Sequence, residues 1–341
     1  MSNTSTINGR SPLLPLNNGV EMPSLGLGVY QSEPRDTGQA VETAIRNGYR
    51  LIDTAAAYFN EREVGEAVAR SGIERRELFI TTKLWMSDYG YDRTLRAFDI
   101  SLRKLGLEYL DLYLLHWPVP SAFETTVPSY RAAEKLLADG RVRAIGVSNF
   151  SAPHLEDLIA RTSVVPAVNQ VELHPFFTQR ELRDTHARFG ITTQSWSPLG
   201  GVKVYAAADP KDAKSPLEHP VVVSLAARYG KTPAQVVLRR HIEHGLSAIP
   251  KSVRPARIAE NIGIFDFALT REDLAAIDAL DTGVRGGPDP EIVSPQLFDV
   301  HSRCDVETAM TTWPKEELCK IAEGESRYSR KVDLFERRCR E

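Results

Sequence analysis

The chain has 341 residues, of which 42% are hydrophobic and 26% are charged, and its formal net charge at pH 7 is −3. This composition is typical of a globular protein, and the charge balance gives no general attraction to nucleic acid or to an anionic membrane. No apolar run approaches the roughly 20 residues that a membrane-spanning helix needs, and Met1–Pro12 lacks the apolar core of a signal peptide. The sequence therefore predicts a cytoplasmic protein without nucleic-acid or membrane partners.

The cysteines are few and lie together near the C-terminal end, at Cys304, Cys319 and Cys339. None of them forms a CxxC pair, so the spacing favours neither a metal site nor a disulfide framework. We predict no bound metal.

A hairpin is predicted to follow a polar N-terminal segment, residues 1–12. Leu13–Leu16 and Val20–Met22 are short apolar runs that flank Asn17–Gly19, and Asn-Gly between such runs is typical of a tight β-turn.

Strand-like and helix-like segments then alternate along the chain. The strand-like runs are Leu25–Tyr30, Tyr49–Ala55, Leu78–Trp85, Asp111–Trp117, Ala144–Phe150, Ala167–His174, Thr192–Leu199 and Ser247–Val253. The helical segments are Thr37–Asn47, Glu61–Ser71, Tyr91–Leu105, Tyr130–Asp139, Pro153–Arg161, Gln179–Phe189, Val221–His244, Pro255–Ile262 and Thr270–Leu280. Eight strands that are each followed by a helix predict an α/β fold of the (β/α)8 TIM-barrel type.

Local signals agree with these boundaries. Glycines that would end helices in the left-handed conformation stand at Gly48, Gly140, Gly190 and Gly245. Ser151 and Thr270 are expected helix caps, and the break at Gly230–Pro233 predicts that Val221–His244 is two helices.

An open, doubly wound sheet is the rival fold. Its phosphate-binding fingerprint is GxGxxG after the first strand, and Gly26-Leu27-Gly28 supplies only two of those glycines. The barrel is therefore favoured, over residues 13–290. Asp281–Pro290 is rich in Gly and Pro and reads as a loop, and residues 291–341 are an extension of unknown structure.

The most informative stretch is Asp111–Pro118, an apolar run that ends in His116. A strand that is apolar throughout is usually buried in a parallel sheet, and barrels bind ligands at the carboxyl ends of their strands. Asp53, Tyr58 and Lys83 follow or end neighbouring strands, so the four side chains are predicted to form one proton-handling site.

The chemistry of these groups favours proton donation by the phenol. A buried Lys83 needs a counter-charge, which Asp53 can provide, and a phenol beside an ammonium group should have a lowered pKa. Tyr58 is then a general acid and His116 can orient a carbonyl. Since no side chain can give a hydride, a nicotinamide cofactor is expected.

Polar groups near the later strand ends suggest where that cofactor binds. Lys251, Ser252, Arg254 and Arg257 surround a helix start, a combination that suits a phosphate and favours NADP(H) over NAD(H). Amide, hydroxyl and indole groups that could hold a nicotinamide end three further strands, at Ser148, Asn149, Gln170 and Trp196. The loop Ser197–Gly201, which includes Leu199, could lie along a pyrophosphate.

Other polar pairs are read as structural. His241 and His244 share a helix face without a carboxylate partner, and Arg239-Arg240 is expected to be a solvated surface pair.

Several motifs, in order and spacing, resemble the aldo-keto reductases. They are GYRLIDTAAAYFNEREVG, LFITTKLW, LDLYLLHWP, RAIGVSNF, NQVELHP, WSPLG and IPKSV, and they extend from about Leu14 to Pro290. The branch that is most similar contains the 2,5-diketo-gluconate reductases and prostaglandin F synthases.

The resemblance implies an NADPH-dependent carbonyl reductase with a tetrad of Asp53, Tyr58, Lys83 and His116. It implies that the nicotinamide contacts Ser148, Asn149, Gln170 and Trp196, and that the 2′-phosphate and adenine contact Lys251, Ser252, Arg257, Glu260 and Asn261. The substrate would lie against Tyr30, Trp85 and Trp117, and could be a keto-sugar acid, a reactive aldehyde or a quinone-like carbonyl compound. A monomer is expected.

Two alternatives remain open at this point. One is an NADPH-binding regulatory or scaffold protein with little turnover. The other is a lyase that forms a Schiff base through Lys83, as barrel enzymes can.

Overall fold

The structure is a computed structural model that describes residues 9–200 and 215–296. The three cysteines and most of the predicted extension, 291–341, lie outside these residues, as does Gly201. The proposed region boundaries at 12/13 and 290/291 therefore stay predictions.

The strands form two sheets. The first sheet is the antiparallel hairpin of β1 and β2, and the second is an eight-stranded parallel sheet of β3 to β10 in chain order. The strands are β1 Leu13–Pro15, β2 Glu21–Pro23, β3 Leu27–Gly28, β4 Leu51–Asp53, β5 Phe79–Leu84, β6 Leu110–Leu115, β7 Val142–Ser148, β8 Val168–Glu172, β9 Thr192–Trp196 and β10 Ser247–Ala248. The hairpin predicted around Asn17–Gly19 is confirmed.

The two edges of the parallel sheet meet, which closes it into a barrel. Parallel bridges join Leu25 to Ala248 and Gly28 to Lys251, and the Gly26 N–H donates to the Ala248 carbonyl at 2.9 Å. The predicted TIM barrel is therefore confirmed. Below, the carboxyl ends of its strands are called the mouth and the amino ends the base.

The glycines of the rejected fingerprint serve this closure. A Cβ atom on Gly28 would lie 2.8 Å from the Ile249 carbonyl oxygen, and one on Gly26 would lie 2.0 Å from a Leu51 methyl group. Gly28 is needed because the backbone of a neighbouring strand approaches it closely, and Gly26 is needed because the Leu51 side chain fills the space where its Cβ would lie. The predicted strands Leu25–Tyr30 and Ser247–Val253 shrink to β3 and β10, since the rest of each run pairs only through isolated bridges.

The helices lie between the strands along the chain. They are Pro34–Arg46, Glu61–Arg70, Tyr91–Leu105, Phe123–Ala138, Ala152–Arg161, Arg180–Phe189, Pro220–Tyr229, Pro233–Glu243, Pro255–Ile262 and Arg271–Asp278. None of the helices in the described ranges is both long and apolar enough to pass through a bilayer.

The predicted helix ends are largely confirmed. Gly48, Gly140, Gly190 and Gly245 have φ values of 93°, 70°, 68° and 68°. Thr232 and Thr270 each accept a hydrogen bond from the third residue of the helix that follows, and Ser151 caps Ala152–Arg161. The segment Val221–His244 is indeed two helices, with Pro233 first in the second.

One helix begins much earlier than predicted. The segment expected to start at Tyr130 starts at Phe123 and carries Pro128 inside. Proline removes one intrahelical hydrogen bond. The turn before it is held by burial of Val127, which is 2% exposed, and by packing of the Phe123 ring near that of Phe150.

The prediction for Arg239-Arg240 is wrong. Arg240 is completely buried, and its Nε donates to Asp278 Oδ1 at 2.6 Å, because helix Arg271–Asp278 brings an acidic residue opposite it. The sequence offered no sign of that pairing. His241 is also buried, with both ring nitrogens near backbone carbonyls, as its structural interpretation predicts.

Apolar packing occurs in two layers. A large cluster joins the helices to the outer side of the strands, and a smaller one fills the barrel interior. Leu16 and Met22 of the hairpin belong to the interior cluster together with Leu51, Phe79 and Leu112. The hairpin therefore packs against the interior side chains of the barrel.

Candidate active site

The four residues predicted to handle protons converge at the mouth. Asp53 ends β4, Lys83 lies near the end of β5, and His116 directly follows β6. Tyr58 ends a single 3-10 turn, Ala56–Tyr58, that follows β4. Three adjacent strands and one short loop therefore bring together residues that are far apart in sequence.

An ion pair forms the centre of this group. Lys83 Nζ lies 2.6 Å from Asp53 Oδ1 and 2.9 Å from the Thr54 carbonyl oxygen. The same ammonium group lies 3.4 Å from the Tyr58 hydroxyl oxygen. The Lys83 side chain is fully buried and that of Asp53 is 2% exposed. The counter-charge that the sequence analysis assigned to Lys83 is thus confirmed.

Burial shifts both members of the pair toward their neutral forms. It raises the pKa of Asp53, although the Lys83 charge and the Gln170 amide oppose this change. It lowers the pKa of Lys83, although Asp53 opposes that change. The pair therefore holds a proton that is more easily released than that of an exposed lysine.

His116 lies in an aromatic environment. Its ring is 5.7 Å from the Tyr58 ring, 5.1 Å from Trp85 and 6.4 Å from Trp117, measured between centroids. Burial, together with the Lys83 charge, places the pKa of His116 well below its usual value. The imidazole is therefore neutral at pH 7, and its Nδ1 has no hydrogen-bond partner among the described residues.

The residues predicted to line the substrate pocket surround this group. Tyr30 is 42% exposed and meets the Tyr58 ring edge-on at 5.1 Å, whereas Trp85 and Trp117 are nearly buried. The Tyr89 hydroxyl donates to the Trp117 carbonyl oxygen at 2.6 Å and holds that segment in place. An aromatic wall therefore stands beside Tyr58 and His116.

The residues expected to hold a nicotinamide are bonded to one another. Ser148 Oγ donates to the Gln170 carbonyl oxygen at 2.7 Å, and Trp196 Nε1 donates to Asn149 Oδ1 at 2.8 Å. Asn149 Nδ2 donates to the His116 carbonyl oxygen at 3.0 Å, and Asn149 has a φ of 65°. A non-glycine residue in that conformation is strained, which is common at ligand sites.

Gln170 connects this group to the ion pair. Its Nε2 donates to Asp53 Oδ2 at 2.8 Å and to Gln194 Oε1 at 2.7 Å. Gln194 Nε2 in turn donates to Ser247 Oγ at 3.0 Å. A line of buried polar groups thus crosses the barrel from β4 to β10.

The residues expected to hold the phosphates lie further along the mouth. Lys251 and Arg257 are exposed, and Ser252 Oγ accepts a hydrogen bond from the Arg254 N–H at 3.1 Å. These groups surround the start of helix Pro255–Ile262. Two exposed cations, a hydroxyl group and a helix N-terminus form a donor set that fits a phosphate dianion.

The remaining predicted contacts are more varied. Asn261 is 4% exposed, and Glu260 already accepts a hydrogen bond from Thr232 Oγ1 at 2.8 Å. Ser197 has a φ of 48°, and its carbonyl oxygen accepts from the Gly200 N–H at 2.8 Å. Leu199 follows in the same turn and is partly buried.

Sequence reasoning missed several residues of this region. Asn60 Nδ2 donates to the Val29 carbonyl oxygen and its Oδ1 accepts from Thr54, so it fixes the turn that carries Tyr58. Gln194 and Glu172 were missed as well. Strand alternation could have found them, because Glu172 follows Gln170 by two residues and Gln194 precedes Trp196 by two.

Comparison with known proteins agrees with this geometry. A model of the aldo/keto reductase family matches residues 24–282. Morphine 6-dehydrogenase of Pseudomonas putida is 53% identical over 291 residues, which is 85% of this chain and 98% of that protein. Glyoxal reductase of Bacillus subtilis is 48% identical over 277 residues, which is 81% of this chain and 95% of that protein.

Solved structures are similar over the same extent. An aldo/keto reductase from Brucella melitensis is 48% identical with a TM-score of 0.74, covering 80% of this chain and 100% of that one. A Bombyx mori aldo-keto reductase in complex with NADP is 35% identical with a TM-score of 0.75, covering 86% of this chain and 98% of that one. The chain therefore belongs to the aldo/keto reductase family, as an oxidoreductase that uses NADP(H).

Proposed function

We propose that the protein reduces aldehydes and ketones to alcohols with NADPH, and that Tyr58 donates the proton. The observation that carries this proposal is the 3.4 Å separation between the Tyr58 oxygen and the buried ammonium group of Lys83. A positive charge at that distance stabilises the phenolate that remains after the proton has left.

The neighbouring groups complete the chemistry. A neutral imidazole can donate one hydrogen bond, so His116 is suited to orienting a carbonyl oxygen next to the Tyr58 hydroxyl. Asp53 keeps Lys83 in place and supplies its counter-charge. NADPH, when bound, supplies the hydride.

The same proposal assigns the residues that hold the cofactor. The nicotinamide is held by Ser148, Asn149, Gln170 and Trp196; the pyrophosphate by the backbone at Ser197 and Leu199; and the adenosine end by Lys251, Ser252, Arg257, Glu260 and Asn261. This assignment is supported by the two exposed cations at Lys251 and Arg257, which suit the extra phosphate of NADPH.

The substrate is proposed to be a small carbonyl compound with a flat or apolar body. Tyr30, Trp85 and Trp117 give the site an aromatic wall, and aromatic faces bind planar or apolar groups well. The similar proteins include a morphine 6-dehydrogenase, a glyoxal reductase and a methylglyoxal reductase. A panel should therefore contain methylglyoxal, a polycyclic ketone, a quinone and a keto-sugar acid.

The working unit is proposed to be a monomer. Light scattering of the purified protein tests this state directly. The cytoplasmic location stays a prediction from the sequence.

The direct test is Tyr58→Phe, which removes only the hydroxyl group. Loss of a general acid should lower kcat by about 10²- to 10⁴-fold, while NADPH affinity changes little. Tyr91→Phe is the matched control, because Tyr91 is 40% exposed and lies in a helix outside the site. A Tyr58→Phe enzyme as fast as wild type would remove Tyr58 from its proposed role.

The same assays address the alternatives. Tight NADPH binding without turnover of any panel member would favour a regulatory or scaffold protein. A Schiff base through Lys83 is disfavoured by its complete burial and its bond to Asp53, and borohydride trapping with a carbonyl compound tests it.

A further inference from the structure

We propose that Glu172 is a positioning residue for the cofactor. Its buried carboxylate fastens the loop 281–290 against Trp196 and so holds the indole ring where the nicotinamide stacks. This inference rests on the proposed function, because the role of Trp196 toward the cofactor is itself a proposal.

The Glu172 carboxylate is fully buried and used entirely within the protein. It ends β8, where it lies opposite Trp196 of β9 in the strand register. Its Oε1 accepts the Gly286 N–H and its Oε2 accepts the Gly287 N–H, each at 2.8 Å. His174 Nε2 lies 3.0 Å from Oε1. Since both oxygens are engaged and shielded, Glu172 cannot act as an acid toward a substrate.

The fastened loop touches the indole directly. A Cβ atom on Gly287 would lie 2.5 Å from Trp196 Cη2 and 2.9 Å from Glu172 Oε2. Only glycine permits this approach of the backbone to the ring. The other end of the indole is held by Asn149, whose Oδ1 accepts from Nε1. Trp196 is therefore fixed at its benzene end by the loop and at its pyrrole end by an amide.

Other contacts anchor the loop independently of Glu172. The Thr282 N–H and Oγ1 donate to the Phe176 carbonyl oxygen at 3.0 and 2.8 Å, and Thr178 Oγ1 donates to Asp281. The Arg285 guanidinium lies 4.9 Å from the centroid of the Phe177 ring, but its Nη1 also lies 3.9 Å from Glu172 Oε2, so this contact is not independent of the carboxylate. Weakening the Glu172 bonds should therefore loosen the contact with Trp196 without releasing the whole loop.

The main variant is Glu172→Gln, which keeps the shape of the side chain. One of its terminal atoms becomes an NH₂ group that faces a backbone N–H, so one of the two hydrogen bonds must break. We expect NADPH to dissociate faster and its Kd to rise by about tenfold, the effect of losing one hydrogen bond to a charged group. At saturating NADPH, kcat should change much less than Kd.

The measurement is NADPH titration by quenching of tryptophan fluorescence, with dissociation followed by stopped flow. Glu291→Gln is the matched control, since its side chain is 56% exposed and follows the same loop. Gly287→Ala is a second variant that leaves Glu172 intact but should displace the ring and weaken binding. It decides the question if Glu172→Gln fails to fold.

A double-mutant cycle with Trp196→Ala tests whether Glu172 acts through the indole. If it does, Glu172→Gln should change the NADPH Kd less than about threefold in the Trp196→Ala background. Additive effects would overturn the positioning role, as would wild-type affinity in Glu172→Gln and Gly287→Ala together. Wild-type affinity in Trp196→Ala alone would instead overturn the proposed cofactor role of Trp196.

Discussion

Two buried carboxylates lie at opposite ends of the barrel, and they differ in the cations that bind them. Asp53, at the mouth, faces the fully buried Lys83. Asp111, near the base, binds two arginines, at 2.6 Å from Arg75 and 2.8 Å from Arg143, and also accepts the Ile80 N–H at 2.9 Å. Both arginine side chains keep contact with solvent.

The difference separates a structural ion pair from one suited to chemistry. Arginine stays charged at any physiological pH, so the Asp111 cluster can only bind. Lysine can lose its proton when it is buried, and Lys83 also lies within reach of the Tyr58 hydroxyl. In barrels generally, the mouth carries catalysis and the base carries stability, and the two kinds of cation found here fit that division.

The largest expected effect is that of Lys83→Met. The phenol of Tyr58 loses the charge that stabilises its anion, so kcat should fall by about 10²- to 10⁴-fold. Steady-state rates with a reactive aldehyde measure this loss, and an NADPH titration should show nearly unchanged affinity. Lys135→Met, on the exposed face of helix Phe123–Ala138, is the control. Turnover within a few-fold of wild type would show that the mouth does not need its lysine.

Asp111→Asn should weaken the fold and leave the chemistry intact. It weakens the hydrogen bonds to two guanidinium groups, which can turn to solvent, so the free energy of unfolding should fall by about 1.5–3 kcal/mol. Urea denaturation measures this change. Asp139→Asn, in an exposed pair with Lys135, should cost less than about 1 kcal/mol. A lower kcat/KM with an unchanged free energy of unfolding would contradict a purely structural role for Asp111.

A smaller effect should appear on acidification, through the neutral imidazole at the mouth. The pKa of His116 is well below its usual value, and burial also lowers the pKa of His186 to about 4. The unfolded chain takes up protons at these positions below about pH 6.5, whereas the folded chain does not. Their contribution to stability is thus complete above that pH and is lost as the pH falls.

His116→Gln should therefore flatten the dependence of unfolding free energy on pH between pH 5 and 6, by about 1.4 kcal/mol per pH unit. His186→Gln, away from the mouth, should flatten it by a similar amount. Urea denaturation at several pH values provides the measurement. An unchanged slope in His116→Gln would mean that its imidazole is protonated in the folded protein.

Much of the arrangement of the candidate site could be predicted because its residues stand at strand ends. Asp53, Lys83 and His116 follow apolar runs, and the topology of a parallel barrel alone brings such positions together. The same argument predicts the position of Tyr58, since it lies a few residues beyond the end of β4.

Contacts between distant segments could not be predicted in this way. Glu172 accepts a hydrogen bond from Gly286, which is 114 residues away, and no local sequence pattern predicts that contact. Arg240 was mistaken for a surface residue because its partner Asp278 belongs to another helix. The sequence predicts that the helix Phe123–Ala138 starts only at Tyr130, because a proline such as Pro128 usually interrupts a helix. The packing that holds the first turn in place cannot be read from the sequence.

The barrel is joined unevenly around its circumference. The seam is the place where the first and last strands of the barrel meet, and these strands, β3 and β10, contain only two residues each. Backbone N–H groups donate across the seam from Gly26 to Ala248, from Ala248 to Ser24 and from Gly28 to Pro250. Deuterium should therefore enter the backbone amides of Gly26 and Ala248 sooner than those of the longer strands β5 to β7. Because Lys251 pairs with Gly28 at this seam, a nucleotide bound there should slow that entry.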